Sequence, residues 1–248
     1  MWIARWNFFP LDGKKGFVLE ENFLQALTEE IDIIFLCNPN NPTGLLVEKP
    51  LLEKILKRCQ ELNILMAVDE CFLDFVPSPE KYTLKEYLET YDNLFLLKAF
   101  TKRYAMAGVR LGYGLCGNKG LLEKIEGVCQ PWNVSSMAQA AGLAALQERE
   151  YVEKGRQVTF QELAYLKEEL AALGYPVYPS QANYVFFTGP ADLYEKLEQK
   201  KILIRDCSNY TGLSKGYYRV AVKKHEENQQ LVRALKEIDR TKVENVIL

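Results

Sequence analysis

The chain has 248 residues, 48% of them hydrophobic and 26% charged, with 31 Lys and Arg against 33 Asp and Glu and a formal net charge of −2. That balance suits a folded chain of one or two domains with a sizeable core and excludes a disordered one; the basic excess on which nucleic-acid binding draws is missing. No apolar run approaches the ~20 residues that cross a bilayer, and Met1-Trp2-Ile3-Ala4-Arg5-Trp6 lacks the pattern of a secretory leader, so the expected location is the cytoplasm.

In chain order, Ile33-Ile34-Phe35-Leu36-Cys37 is a continuous apolar run closed by Asn38-Pro39 and reads as a buried strand. Pro50 to Leu62 has helical spacing with proline near its first turn. Ile64 to Val68 is a second buried run, ending at Asp69-Glu70; Leu94 to Leu97 is a third and Arg110 to Leu115 a fourth. Apolar runs separated by helices predict parallel strands with crossovers, hence an α/β layer with a mostly parallel sheet. Ser136 to Leu170 reads as one long helix, with Ser135 or Ser136 as its N-cap and Gly174-Tyr175-Pro176 beyond its end. A smaller α+β pattern follows: strands at 183–187, 202–205 and 217–222, and helices at 191–199 and 226–238. We expect a large domain over 1–150 and a small one over 151–248.

The cysteines, Cys37, Cys59, Cys71, Cys116, Cys129 and Cys207, form no C-x-x-C pair, and His225 is the single histidine. The sequence therefore predicts no metal site and reduced, mostly buried thiols. No G-x-S-x-G elbow is present, so a Ser-His mechanism has no support.

Three features fall at the carboxyl ends of successive predicted strands, the edge where open α/β sheets collect ligands. They are Asn38-Pro39-Asn40-Asn41-Pro42-Thr43-Gly44, then Asp69, then Thr101-Lys102, with Arg110 eight residues on. Taken singly, each has an ordinary explanation: the first is rich in turn formers, Asp69 suits a cap, and Lys102 and Arg110 suit a charged surface. Their order and spacing point instead to one site.

The segments NPNNPTG, VDECF and AFTKRYAMAGVRLGYG resemble the pyridoxal-phosphate enzymes of the aspartate-aminotransferase fold, from about residue 15 onward. The resemblance implies that Lys102 joins the cofactor aldehyde and then serves as acid and base. It also implies that Asp69 pairs with the pyridine nitrogen, that Asn41 bonds the ring oxygen, and that Arg110, with Thr101, holds the phosphate. In the second half, Arg219 in YYRVAV matches the substrate-carboxylate arginine. Ile202 to Tyr210 (ILIRDCSNY) is similar to threonine-phosphate decarboxylases, and Arg205 matches an arginine shared with histidinol-phosphate aminotransferases on the side that receives the phosphorylated part of the substrate. Asn183 in Ala182-Asn183-Tyr184 fits the same two groups, or a turn at a strand end.

The resemblance therefore implies an enzyme for a small phosphorylated amino acid, a homodimer when complete. Threonine-phosphate decarboxylation for cobalamin synthesis comes first; a histidinol-phosphate or aromatic aminotransferase, or an inactive fragment needing a partner, are the alternatives. Departures also carry expectations. Phe72 stands where many aminotransferases have a Tyr, Ala99 where a Ser or Thr often meets the phosphate, and the family's N-terminal phosphate-gripping portion has no equivalent before residue 38. From that we expect uncovered sheet edges and weak or no cofactor binding by this chain alone.

Overall fold

The computed structural model describes residues 4–246, with side chains described as far as Asp239. Two compact units are present, one formed by Glu20–Asn41 and Leu45–Val158, the other by Met1–Leu19, Pro42–Gly44 and Thr159–Leu248.

The first unit is built on four strands in the order β1 (Ile33–Cys37), β2 (Leu65–Asp69), β3 (Leu94–Ala99) and β4 (Gly112–Cys116). Parallel pairing joins β1 to β2 and β2 to β3, while β4 runs antiparallel to β3, with Ala99 opposite Gly112. The sheet is thus mostly parallel, as expected, with β4 its antiparallel edge. A parallel return needs a crossover element, and between β3 and β4 the chain forms only the four-residue helix α2 (Phe100–Arg103) and one 3-10 turn at Ala107–Val109. Helix α1 (Lys49–Glu61) follows β1. It buries Leu52, Ile55, Leu56 and Cys59, the i, i+3, i+4, i+7 stripe of an amphipathic helix, and packs on β2.

Helix α3 (Lys119–Val128) is capped by the Asn118 side chain, which accepts from Leu121 N. The single long helix expected over 136–170 is two: α4 (Ser136–Ala145), with Ser135 accepting from Ala138 N as its cap, and α5 (Arg149–Ala172). The break falls at Leu146-Gln147-Glu148, where no Gly or Pro announces it.

In the second unit a three-stranded sheet has the order β5 (Tyr184–Thr188), β7 (Tyr217–Ala221), β6 (Arg205–Asp206), all antiparallel. The core lies on one face, where Val185, Phe187, Tyr218 and Val220 meet Leu163, Leu166 and Leu170 of α5. Leu193 and Leu197 of α6 (Leu193–Gln199) and Leu231, Val232 and Leu235 of α7 (His225–Val246) close it. On the other face Phe186 and Tyr217 stack at 5.8 Å, and Phe17 packs edge-on against both. Residues 4–12 contain no strand or helix.

Gly44 belongs with this unit through its contact with Ser180. Its φ is +73°, and a Cβ there would lie 2.7 Å from the Ser180 Cβ. Ser180 is fully buried; its hydroxyl donates to Thr43 O at 2.6 Å and accepts from Phe186 N at 3.1 Å. Only glycine combines that backbone conformation with that approach.

Candidate active site

Asp69 ends β2 with its side chain on the face it shares with Cys37 of β1 and Leu97 of β3, its register partners. Successive residues of a strand alternate faces, so the next residue, Glu70, turns to the opposite side. There it is fully buried and accepts from Lys98 Nζ at 2.6 Å, from the Thr83 hydroxyl at 2.9 Å and from Leu84 N at 3.3 Å. This buried ion pair was missed in the sequence. Its signal was a second carboxylate directly after Asp69 and a lysine ending the apolar run Leu94-Phe95-Leu96-Leu97.

Asp69 accepts from Cys71 N at 2.9 Å. Burial and then the neighbouring Asp69 carboxylate push the Cys71 thiol up to about 12. Burial and then Asp69 push Cys37 up to about 11. Both are held as neutral thiols.

Lys102 lies on α2, just past the end of β3, and is exposed. Its ammonium sits over the ring of Phe72, 5.5 Å from the centroid. The ring that lacks a hydroxyl thus gains a role beyond packing, since an aromatic face attracts a cation. Thr101 precedes Lys102 and is half-buried. The neighbouring Arg103 pairs with Asp74 at 2.7 Å. Arg110 is exposed in the left-handed region at φ 58°, and its guanidinium donates to Ala107 O at 3.1 Å. Among the described residues no carboxylate forms an ion pair with Lys102 or Arg110.

Asn41 is half-buried in the loop that follows β1. That loop is tied down by fully buried Asn38, which donates to Tyr82 O at 3.2 Å and accepts from Val47 N at 2.9 Å. Asn41, Asp69, Thr101, Lys102 and Arg110 all belong to the first unit.

The second unit carries the other three sequence-derived residues. Arg205 and Arg219 are direct cross-strand partners of β6 and β7, so two cations project from the same sheet face. Like charges placed opposite each other are unfavourable, an arrangement that an anionic ligand would relieve. The Arg219 guanidinium lies 4.9 Å from the centroid of the Tyr184 ring; Arg205 donates to the Asn209 Oδ1 at 3.0 Å and sits 5.8 Å from the Tyr210 ring. The Asn183 Oδ1 is buried without a hydrogen-bond partner among the described residues. No group of His, Cys, Asp and Glu among them could hold a metal ion.

The donor set fits pyridoxal phosphate: an exposed amine for its aldehyde, a carboxylate for its ring nitrogen, and a guanidinium free of carboxylates for its phosphate. The fold and these positions define the class. A family described as aminotransferase class I and II matches residues 5–235, and the chain belongs to that family of pyridoxal-phosphate-dependent enzymes. It is 37% identical over 240 residues to the threonine-phosphate decarboxylase of Salmonella typhimurium, covering 95% of this chain and 65% of that protein. It is 31% identical to the histidinol-phosphate aminotransferase of Methanococcus aeolicus, covering 95% and 64%. The crystal structure of the histidinol-phosphate aminotransferase from Clostridium acetobutylicum superimposes with a TM-score of 0.87 at 30% identity, covering 93% of this chain and 70% of that one. The chain thus spans just under two thirds of the length of these two curated relatives. No helix among the described residues is long and apolar enough to cross a membrane.

Proposed function

We propose that this chain carries the greater part of a pyridoxal 5'-phosphate enzyme for a phosphorylated amino acid. L-threonine O-3-phosphate is its first substrate and decarboxylation, a step in cobalamin synthesis, its first reaction. The observation that carries this reading is the register that ends β2 at Asp69 beside the strand leading to Lys102. When bound, the cofactor supplies an electron sink for the bonds at the substrate α-carbon.

The residues divide the remaining work. Lys102 would hold the cofactor covalently and later carry a proton on Nζ, with the Phe72 face steadying that amine. Asp69 would hold the ring nitrogen, Asn41 the ring oxygen, and Arg110 and Thr101 the phosphate. Arg219 would orient the substrate carboxylate and Arg205 its phosphate, for which planar bidentate donors are well suited. The unpartnered Asn183 Oδ1 would accept from the substrate.

Which α-carbon bond breaks depends on the angle at which Arg219 sets the carboxylate, and the identity to a threonine-phosphate decarboxylase favours loss of carbon dioxide. Release of carbon dioxide from threonine phosphate by the purified chain supports this reading. Amino transfer to 2-oxoglutarate instead would favour the second reading, an aminotransferase for histidinol phosphate or an aromatic amino acid. A third reading, that the chain needs a complementing polypeptide, is favoured by the edge strands of the four-stranded sheet. Phe35 on β1 is 59% exposed and Tyr113 on β4 is 47% exposed. Turnover by the chain alone at the rate of full-length relatives would exclude it. The complete enzyme is proposed to be a cytoplasmic homodimer, which the sedimentation of a full-length form would test.

A further inference from the structure

Resting on the assignment of Arg219 to the substrate carboxylate, we propose that Tyr184 is the positioning residue for that arginine. Its ring is the seat on which the guanidinium lies, and so sets the direction in which the guanidinium meets a carboxylate. Alternation along the strands puts Tyr184 and Phe186 of β5, Tyr217 and Arg219 of β7, and Arg205 of β6 on one face of the sheet, opposite the core. A long side chain with much rotamer freedom has two ways to run along that face, and its neighbours close one of them. Toward Tyr217 the face is filled: Phe186 and Tyr217 stack at 5.8 Å with 15° between their planes, and Phe17 packs edge-on against both. Across on β6 stands Arg205, a like charge. In the other direction the next residue of β7 on this face is Ala221, opposite Tyr184 in the register, which carries only a methyl group. The guanidinium turns that way, its Cζ over the Tyr184 ring at 4.9 Å from the centroid.

Tyr184 is buried, 2% exposed, so its ring is fixed by packing, while Arg219 is half-buried. The choice of holding group matters chemically. An aromatic face attracts a cation and engages no N–H, because the five donors of a guanidinium lie at the edge of its plane. A protein carboxylate would hold the arginine as firmly, but it would occupy those donors and offset the charge. Arg205 has a looser version of the same support: it sits 5.8 Å from the Tyr210 ring, close to the limit of about 6 Å for such contacts, and also donates to Asn209 Oδ1. Since the angle of the substrate carboxylate selects the α-carbon bond that breaks, the ring that seats Arg219 bears on which reaction runs.

The test uses the full chain as wild type, as Tyr184→Phe, and with pentafluorophenylalanine incorporated at the same position. The rings fill similar space, but full fluorination reverses the charge of the ring face that attracts a cation. A packing role is served by all of them, whereas a seat for a cation fails only in the fluorinated one. Without cofactor, arginines are modified with phenylglyoxal and the rates are read by mass spectrometry. Tyr184→Phe is expected to leave the Arg219 rate unchanged, and the fluorinated ring to raise it about two- to fivefold, the worth of an exposed cation–π contact, with Arg205 unaltered. An Arg219 rate that is the same with all the rings overturns the proposal, and so does an equal rise in Tyr184→Phe. In a second arm, threonine phosphate protects Arg219 from the reagent. Half-protection is expected at one concentration in the wild type and Tyr184→Phe, and at about two- to fivefold more with the fluorinated ring. Equal protection of all of them overturns the proposal. Absence of protection in the wild type, while the fluorinated ring still speeds modification, supports the seat and tells against the carboxylate assignment.

Discussion

Glu70→Gln is expected to be among the most damaging single changes in the four-stranded unit. The Glu70 side chain is 0% exposed and that of Lys98 15%, with 2.6 Å between Nζ and carboxylate. The glutamine keeps an acceptor for Thr83 and Leu84 but leaves the Lys98 ammonium inside the protein without its counter-charge. Breaking such a pair from one side costs about 3–5 kcal/mol. Lys98→Met strands the carboxylate instead and is expected to cost a similar amount. The double variant strands neither charge, and replacing a buried pair by neutral groups is often close to neutral. Urea unfolding of the wild type, both single variants and the double variant gives the coupling directly. We expect the double variant to recover at least about 2 kcal/mol relative to the sum of the single changes. Additive single effects, within about 0.5 kcal/mol, would refute the view that this pair acts as a unit.

Gly44→Ala is expected to destabilise by about 1–3 kcal/mol, because the new Cβ meets Ser180 at 2.7 Å in a left-handed conformation; an unchanged melting temperature would contradict it. Arg205→Gln removes the like charge opposite Arg219 and is expected to stabilise the ligand-free chain by about 0.2–1 kcal/mol while abolishing stabilisation by threonine phosphate. Melting curves with and without that compound check both signs. Burial raises Cys59 to about 12 and Cys207 to about 11. Their stabilising contribution is complete below the unfolded thiol range near 9.0 and fades as pH climbs toward the folded values, since the native state then binds the extra protons. Each thiol gives up to about 1.4 kcal/mol per pH unit in that window, so the urea midpoint should fall between pH 8 and pH 10; a midpoint that holds steady would argue against it.

The sequence made the strands legible because buried parallel strands are written as unbroken apolar runs, and Ile33–Cys37 and Leu65–Asp69 are found within a residue of where the pattern put them. A run carries no direction, so the antiparallel course of β4 is not written in its apolar run; the short link through Phe100–Arg103 holds that information. The split between α4 and α5 was hidden because Leu146-Gln147-Glu148 are good helix formers, and local propensity is a weak prior against packing. The motif residues of the site stood out through spacing. The buried pair of Glu70 with Lys98 did not, because that pairing depends on which face of the sheet each side chain takes.

Phe17 is one aromatic near the beginning of the chain, yet the rings it touches belong to Tyr178, Phe186 and Tyr217. During synthesis, which proceeds from the amino end, this residue leaves the ribosome long before any of them exists. The four strands described in the first unit are all present by Cys116 and can consolidate first, whereas Phe17 must wait, apolar side chain uncovered, until Tyr217 has emerged. For that interval Phe17 is an exposed apolar side chain, and a chaperone that recognises nascent chains would be expected to meet it there.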